Sequence, residues 1–392
     1  MTDAEQLLKA QRFRAQLLTG TPAASAVEVT RRLLAVQAQD SRAARLAIRV
    51  RSRGLSAADV DHAFTAERSL VLGWLNRGTL HCVLAEDYWW LHALTSPPRS
   101  AGNARRLAQE GVPPEDADRA VEIVERSLAT EGPLTRGQLG ERLSAAGVRT
   151  QGQALVHILA LACLRGIAVR GPMFGAQHAY VLARDWIGVP PAFDRDRALA
   201  ELARRYLAGH GPATDRDLAH WAGLPLRDAR WGLAAIASLL TDRADGLAEL
   251  SAPEFSAGTG RSPAQPGVIL AAPGEITGRD PRPPPRAAPG EIPHDDALPP
   301  PRLLGAYEPL LLGWASREPF VGRYGPRIMS NGLFRPFALA GGRAVATWSF
   351  AGGQVSLSPF EPLSAQVSDT LSREAADVER FLDLATPASP AR

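Results

Sequence analysis

Gln37 and Gln39 stand two residues apart in the phrase Leu33-Leu34-Ala35-Val36-Gln37-Ala38-Gln39-Asp40-Ser41. On a helix, side chains at i and i+2 point about 200° apart and cannot serve one site, whereas in extended backbone they share a face. Two carboxamides aimed the same way offer donors and acceptors to one place, yet neither titrates, so neither is a general base. Asp40 next to them is a carboxylate that could act as one, and its alternative role is to cap the following helix. The plain alternative for each glutamine is a helix-end cap or a backbone hydrogen bond. The tripeptide pattern does not decide, since Gln151-Gly152-Gln153 has it too.

Further candidates lie in two strand-like segments. Residues 79 to 83 alternate, with Thr79, His81 and Val83 on one side and Leu80 and Cys82 on the other. Arg77, Thr79 and His81 are candidate DNA contacts there, with structural hydrogen bonding as the alternative. Arg165 and Arg170 bracket the second segment, where arginine can reach phosphates or a minor groove, or can be solvated wing charge. Trp74, Trp89, Trp90 and Trp221 lie in apolar-periodic stretches and read as core rather than as base-stacking platforms, and His157 in ALVHILALACL reads as a core histidine.

These residues need elements to hold them. Residues 25 to 36 are helix-periodic through Val29, Leu33 and Val36, and Asp40 or Ser41 is the N-cap of a helix over 42–53, so the two glutamines fall at a helix junction. A repeat runs through the chain: Gly132-Pro133-Leu134-Thr135 with Leu139, Gly211-Pro212-Ala213-Thr214 with Leu218, and a fainter Gly54-Leu55-Ser56 with Val60. Ser56/Asp59, Thr135/Gln138 and Thr214/Asp217 have capping-box spacing. Arg77-Gly78 and Arg165-Gly166 each precede a strand-like segment and a near-duplicate phrase, VLAEDY at 83–88 and VLARDW at 181–186. Short helices followed by a hairpin form a winged-helix pattern, here in tandem.

The expected architecture is α+β: tandem winged-helix modules forming a concave DNA-binding surface, with a small β-rich C-terminal domain. The modules are read at 1–120, 121–195 and 196–251. Thirteen of the 32 prolines fall in 252–301, a linker or disordered insertion, and 302–392 is the β-rich domain, closed by an amphipathic helix near 369–384.

Composition narrows the classes. The chain has 392 residues, 45% hydrophobic and 22% charged, and no apolar run nears the roughly 18 residues that a membrane span needs. The first residues, MTDAEQLLKAQRFRAQLL, carry no apolar leader region, so a cytoplasmic, nucleoid-associated location is expected. Cys82 and Cys163 have neither CxxC nor Cys/His ligand spacing, so no metal and no cofactor are expected. Net charge is +3 and Lys9 is the sole lysine, so the positive charge is almost wholly arginine, suited to bidentate phosphate contact, and no lysine near the glutamines offers a Schiff base.

The phrases LLAVQAQD, WLNRGTLHCVLAEDYWWL and LLGAYEPLLLGWASR, with the GPLT and GPAT helix starts, resemble the AlkZ-type winged-helix family of bacterial DNA glycosylases over most of residues 3–350 outside the proline-rich stretch. Arg77-Gly78-Thr79-Leu80-His81 is the most distinctive local match. The resemblance implies removal of N7-alkylated purines, interstrand crosslinks included, often as self-resistance beside genotoxic natural-product clusters. It also implies a catalytic pattern of glutamine, aliphatic residue and glutamine, which Gln37 and Gln39 match residue by residue. A sister branch carries aspartate at the second position; this chain does not. Glu308 stands where the family more often has aspartate, and the proline-rich insertion is unusually long.

Amides suffice for such a substrate because N7-alkylation makes the purine a cation that leaves as a neutral molecule without a general acid. Gln39 would accept a hydrogen bond from the attacking water, and Gln37 would orient that water or the sugar. The implied partner is double-stranded DNA carrying N7-alkylpurine lesions, bound by a monomer. The alternatives are a non-catalytic winged-helix DNA-binding protein or regulator, and a protein that binds the genotoxic small molecule itself.

Overall fold

A computed structural model describes residues 2–175, 177–251 and 298–382. The proline-rich reading of 252–301 therefore lies largely outside the described residues.

The first part of the chain runs α1 (Asp3–Ala15), α2 (Ala26–Leu33), β1 (Val36–Gln37), α3 (Ser41–Arg49), α4 (Ala57–Thr65), β2 (Leu70–Trp74), β3 (Leu80–Leu84), α5 (Ala85–Thr95) and α6 (Ser100–Gln109). α2 stops three residues short of the end that its periodicity predicts. Leu34 turns to φ 64° and is fully buried, and the chain leaves it extended, with Val36 paired to Cys82 and Gln37 to His81. The apolar side chains of the helix-like pattern are all buried, but a strand partner more than 40 residues away captures the last of them. Asp40 caps α3, accepting from the Ala43 amide at 3.1 Å, and α3 ends at Arg49 rather than at 53.

The second part comprises α7 (Pro114–Glu131), α8 (Arg136–Ala145), α9 (Ala154–Leu164), β4 (Ala168–Phe174), β5 (Gln177–Leu182) and α10 (Ala183–Ile187). The third is α11 (Arg195–His210), α12 (Asp215–Ala222) and α13 (Leu226–Ala235), followed by isolated bridges, Ala213 to Ala248 and Leu240 to Leu250. Ser56/Asp59, Thr135/Gln138 and Thr214/Asp217 all close as reciprocal capping boxes at the starts of α4, α8 and α12. Each satisfies two amides that the first helical turn would leave unpaired.

The two hairpins do not stay in separate modules. β2 pairs with β4, giving one five-stranded sheet of order β1-β3-β2-β4-β5. Its faces are covered by helices from both parts, so β2 and β3 are buried on both sides except at Trp74, which is half-buried.

The last part is β6 (Arg302–Leu304), short helices α14 (Pro309–Leu312), α15 (Glu318–Val321) and α16 (Gly325–Ile328), strands β7 (Met329–Ser330), β8 (Leu333–Phe334), β9 (Phe337–Ala340), β10 (Arg343–Ala351) and β11 (Gln354–Pro359), and α17 (Ala365–Leu382). Its four-stranded sheet, β11-β10-β9-β6, shares its core with the first part: Leu303, Trp348 and Phe381 pack with Val29, Leu46 and Leu72. Leu304, Leu310 and Trp314 join Phe13, Val83 and Trp221 in a second cluster. Two buried ion pairs, Arg49 with Glu374 and Arg51 with Glu308, tie the same surfaces together, the latter pair having no solvent exposure at all. Glu308 also caps α14, accepting from the Leu310 amide. The architecture is thus the expected mixed one, helices interleaved with sheet.

Candidate active site

β1 is an edge strand two residues long. Besides its two register pairs, the Ala38 amide donates to the Leu80 carbonyl at 2.7 Å, extending the ladder by one residue. Val36 and Ala38 turn into the core, at 0% and 3% exposure, and alternation sends Gln37 and Gln39 the other way. Residues 37–40 lie outside helix, the condition for the two amides to share a side. Gln37 is buried; Gln39 is exposed and no partner holds it among the described residues.

The Gln37 side chain is fixed by Arg77. One guanidinium nitrogen of Arg77 donates to Gln37 Oε1 at 3.2 Å and the other donates to the Trp221 carbonyl at 2.7 Å, at the C-terminal end of α12. With its carbonyl occupied, Gln37 presents its NH2 end. The turn that aims Arg77 is tight: Leu75 and Thr79 pair, the Gly78 amide donates to the Leu75 carbonyl at 2.8 Å, and Arg77 itself sits at φ 57°. A left-handed arginine costs roughly 1–2 kcal/mol and persists only where its surroundings hold it. Gly223 makes room, since a Cβ there would lie 2.6 Å from Arg99 Nη2 and 2.9 Å from the Arg77 amide nitrogen.

Arg99 donates to the Gly223 carbonyl at 3.0 Å and Arg317 to the Leu311 carbonyl at 2.8 Å. Among the described residues, Arg77, Arg99 and Arg317 have no carboxylate partner. Burial lowers the Arg77 pKa to about 10, helped by the charges of Arg317 and Arg99, which still leaves it protonated at neutral pH. Positive charge therefore accumulates beside Gln37.

His81 lies directly across the ladder from Gln37, on the same side of the sheet. It is 2% exposed, and its Nδ1 faces the Thr79 carbonyl at 3.0 Å. A carbonyl only accepts, so Nδ1 carries the proton and Nε2 is left as the acceptor. Burial, and then the charge of Arg77, push its pKa down to about 3, so the ring is neutral and too weak a base to take a proton from water. Thr79 is turned to its own loop, its hydroxyl donating to the Asn76 carbonyl at 3.2 Å.

The other candidates sit apart in the second hairpin. Arg165 pairs with Asp118 at 2.5 Å on the surface, and Arg170 donates to the Tyr180 hydroxyl at 3.0 Å with its guanidinium over that ring. Trp221 is core, as its periodicity predicts, and Trp74 is half-buried. His157 departs from its expected place in the core: it is half-buried on a cleft wall, its ring 3.2 Å from the Asn103 carboxamide. α9 is apolar on nearly every face, so periodicity did not single out the side that opens. Arg99, Arg317 and the carbonyls that end α12 carry no signal in the sequence, because their approach is set by pairings between segments more than 100 residues apart. Among the described residues no group of His, Cys, Asp or Glu is arranged to hold a metal ion, and no helix is long and apolar enough to cross a membrane.

Comparison with known proteins gives a family and a fold. The family profile described as DNA glycosylase AlkZ-like matches residues 30–381. An interstrand DNA cross-link repair glycosylase from Streptomyces sahachiroi is 25% identical over 389 residues, covering 95% of this chain and 94% of the relative. The solved structure of the Streptomyces sahachiroi DNA glycosylase AlkZ superposes with a TM-score of 0.69 at 22% identity, covering 97% of this chain and 96% of that one.

Proposed function

The chain belongs to the AlkZ-like DNA glycosylase family, and from that premise we propose that it excises N7-alkylated purines from duplex DNA, interstrand crosslinks included, with Gln37 and Gln39 placing the attacking water. A glycosylase breaks the bond between a base and its deoxyribose. Here the electrons of the C1′–N9 bond return to a purine that already carries a full positive charge, so the base departs neutral and needs no proton. Water then bonds to C1′ and releases its proton to solvent, leaving an abasic sugar and the free alkylpurine.

What remains to be stabilised is a sugar cation and an aligned nucleophile. Gln39, exposed and unheld, turns its carbonyl to the water and accepts its hydrogen bond. Gln37, whose carbonyl is taken by Arg77, donates from its NH2 to the water oxygen or to the sugar. Fixed dipoles of this kind contribute about 3–4 kcal/mol each where they face developing charge. Asp40 is engaged as the cap of α3, and His81 is neutral, so no titrating group is assigned to the chemical step. Acting on crosslinks is carried over from the relative named for it.

The observation that carries the reading is the pinned Gln37 amide in extended backbone next to unpaired arginine charge. Incubation of the purified protein with a duplex containing N7-methylguanine, scored for free base, tests it. Release of the base with an abasic product is expected; tight binding of the damaged duplex with no release would make the protein a binding module instead.

A further inference from the structure

A cleft of about 630 Å³ opens between the turn at 74–78, α6 and α9. Its walls carry Arg77, Arg99, Arg105 and Arg106 with Trp74 and His157, and no aspartate or glutamate among the described residues. None of these four arginines meets a carboxylate among the described residues: Arg106 reaches only the Gln109 carboxamide, at 3.2 Å, and Arg105 is exposed. The buried arginines elsewhere are treated differently, with Arg45 on Asp61, Arg49 on Glu374, Arg51 on Glu308 and Arg205 on Asp87. Unpaired donors also lie on or next to the cleft wall: among the described residues Trp74 Nε1, Arg99 Nε and, one residue from Arg77, Asn76 Nδ2 are buried without a partner. Four cations and surplus N–H groups against no acid call for a ligand that brings anionic acceptors, and more than one of them.

We propose that this cleft is the seat of consecutive backbone phosphates of the DNA strand that carries the lesion, with Arg77 and Arg99 as anchors at its base and Arg105 and Arg106 along its rim. Three observations fix the class of ligand. Arg99 and Arg106 are seven residues apart on a helical segment, about 10 Å, which matches the axial length of roughly three nucleotides of one strand. Guanidinium is the group that meets phosphate oxygens two at a time. Arg77 bridges the cleft and the amide of Gln37, so a strand seated there brings its sugars alongside the water-placing residues. The proposal rests on the chain acting on DNA, and not on the roles given to Gln37 and Gln39.

The test compares an Arg105→Ala/Arg106→Ala double variant with Arg373→Ala. All three side chains are exposed, and Arg373 sits on α17, so its loss controls for one of the two surface charges that the double variant removes. Binding to a duplex holding an abasic-site analogue is followed across a salt series, which separates docking from catalysis. Arg105→Ala/Arg106→Ala should weaken binding by at least about tenfold at low salt. It should also flatten the plot of log affinity against log salt by about 1.8, at about 0.9 for each phosphate that is no longer neutralised. Arg373→Ala should track the unaltered protein. A double variant whose affinity and slope coincide with those of Arg373→Ala would overturn the proposal, whatever becomes of excision. Arg106→Glu gives a second arm: it should bind more weakly than Arg106→Ala, and equal affinity of the two would count against a phosphate at that position.

Discussion

The two hairpins carry near-duplicate phrases but hold their arginines differently. In each, an Arg-Gly pair leads into a strand, a histidine donates from Nδ1 to a backbone carbonyl in its own hairpin, and the same short phrase opens the next helix. In the second hairpin the arginines are neutralised or stacked, Arg165 on Asp118 and Arg170 on Tyr180. In the first, the turn throws Arg77 into a left-handed conformation, where it meets no acid among the described residues and holds Gln37. Among the described residues the outer strand of the first hairpin gains the edge strand β1, whereas that of the second meets a single bridge, Leu134 to Tyr180. The repeated module thus leaves its arginine charge without an acid partner next to a polar edge in one copy, among the described residues, and absorbs it with a local acid and an aromatic ring in the other.

If paired arginines hold the fold and unpaired ones serve DNA, removing the acid from a buried pair should damage stability first. Glu308→Ala strands Arg51 at zero exposure and should cost about 3–5 kcal/mol, read from the urea midpoint, with excision per folded molecule unchanged. An equal loss of excision by fully folded protein would blur the division.

The histidines offer a likeness between the hairpins. Burial sets His81 at about 3 and His178 at about 4, both below the ordinary 6.5. The unfolded chain takes up these protons first, so stability should fall as pH drops below about 6.5, by about 2 kcal/mol for each ring at pH 5. Denaturant melts of His81→Gln and His178→Gln at pH 7 and 5 check this, since each variant should lose part of the pH dependence. A pH-independent difference from the unaltered protein would mean that neither ring is held neutral.

Arg77→Ala releases the Gln37 amide and should slow single-turnover excision at saturating protein by about 10–100-fold, equivalent to about 1.4–2.7 kcal/mol. Arg77→Lys should recover little, because one ammonium cannot span the Trp221 carbonyl and Gln37 Oε1 together. Arg165→Ala, which breaks only a surface pair, should shift stability by less than about 0.5 kcal/mol. A loss of excision there as large as that of Arg77→Ala would remove the contrast between the hairpins.

What could be read in the chain itself was local. Ser56/Asp59, Thr135/Gln138 and Thr214/Asp217 are i, i+3 pairs whose partners are fixed by one helical turn, and Asp40 announces α3 in the same way. The end of α2 was not legible, because Val36 suits a helix face and a strand equally and only pairing with Cys82 decides. The joining of β2 to β4, the approach of Arg99 to Gly223 and the burial of Glu308 against Arg51 all depend on side chains brought from distant parts of the chain. For the site, residue types and spacing marked Gln37, Gln39, Arg77 and His81, but not that Arg77 holds one amide while leaving the other free.

That last asymmetry makes the catalytic claim testable in a single series. Single-turnover base release from an N7-methylguanine duplex, at saturating protein and from about pH 6 to 9, is compared for the unaltered protein, Gln39→Ala and Asp40→Asn. Amides that place water without titrating should give a nearly flat profile, a loss of more than about tenfold in Gln39→Ala with DNA affinity little changed, and most of the activity kept in Asp40→Asn. A sloping profile that disappears in an inactive Asp40→Asn, beside an active Gln39→Ala, would contradict it and assign the reaction to a carboxylate base.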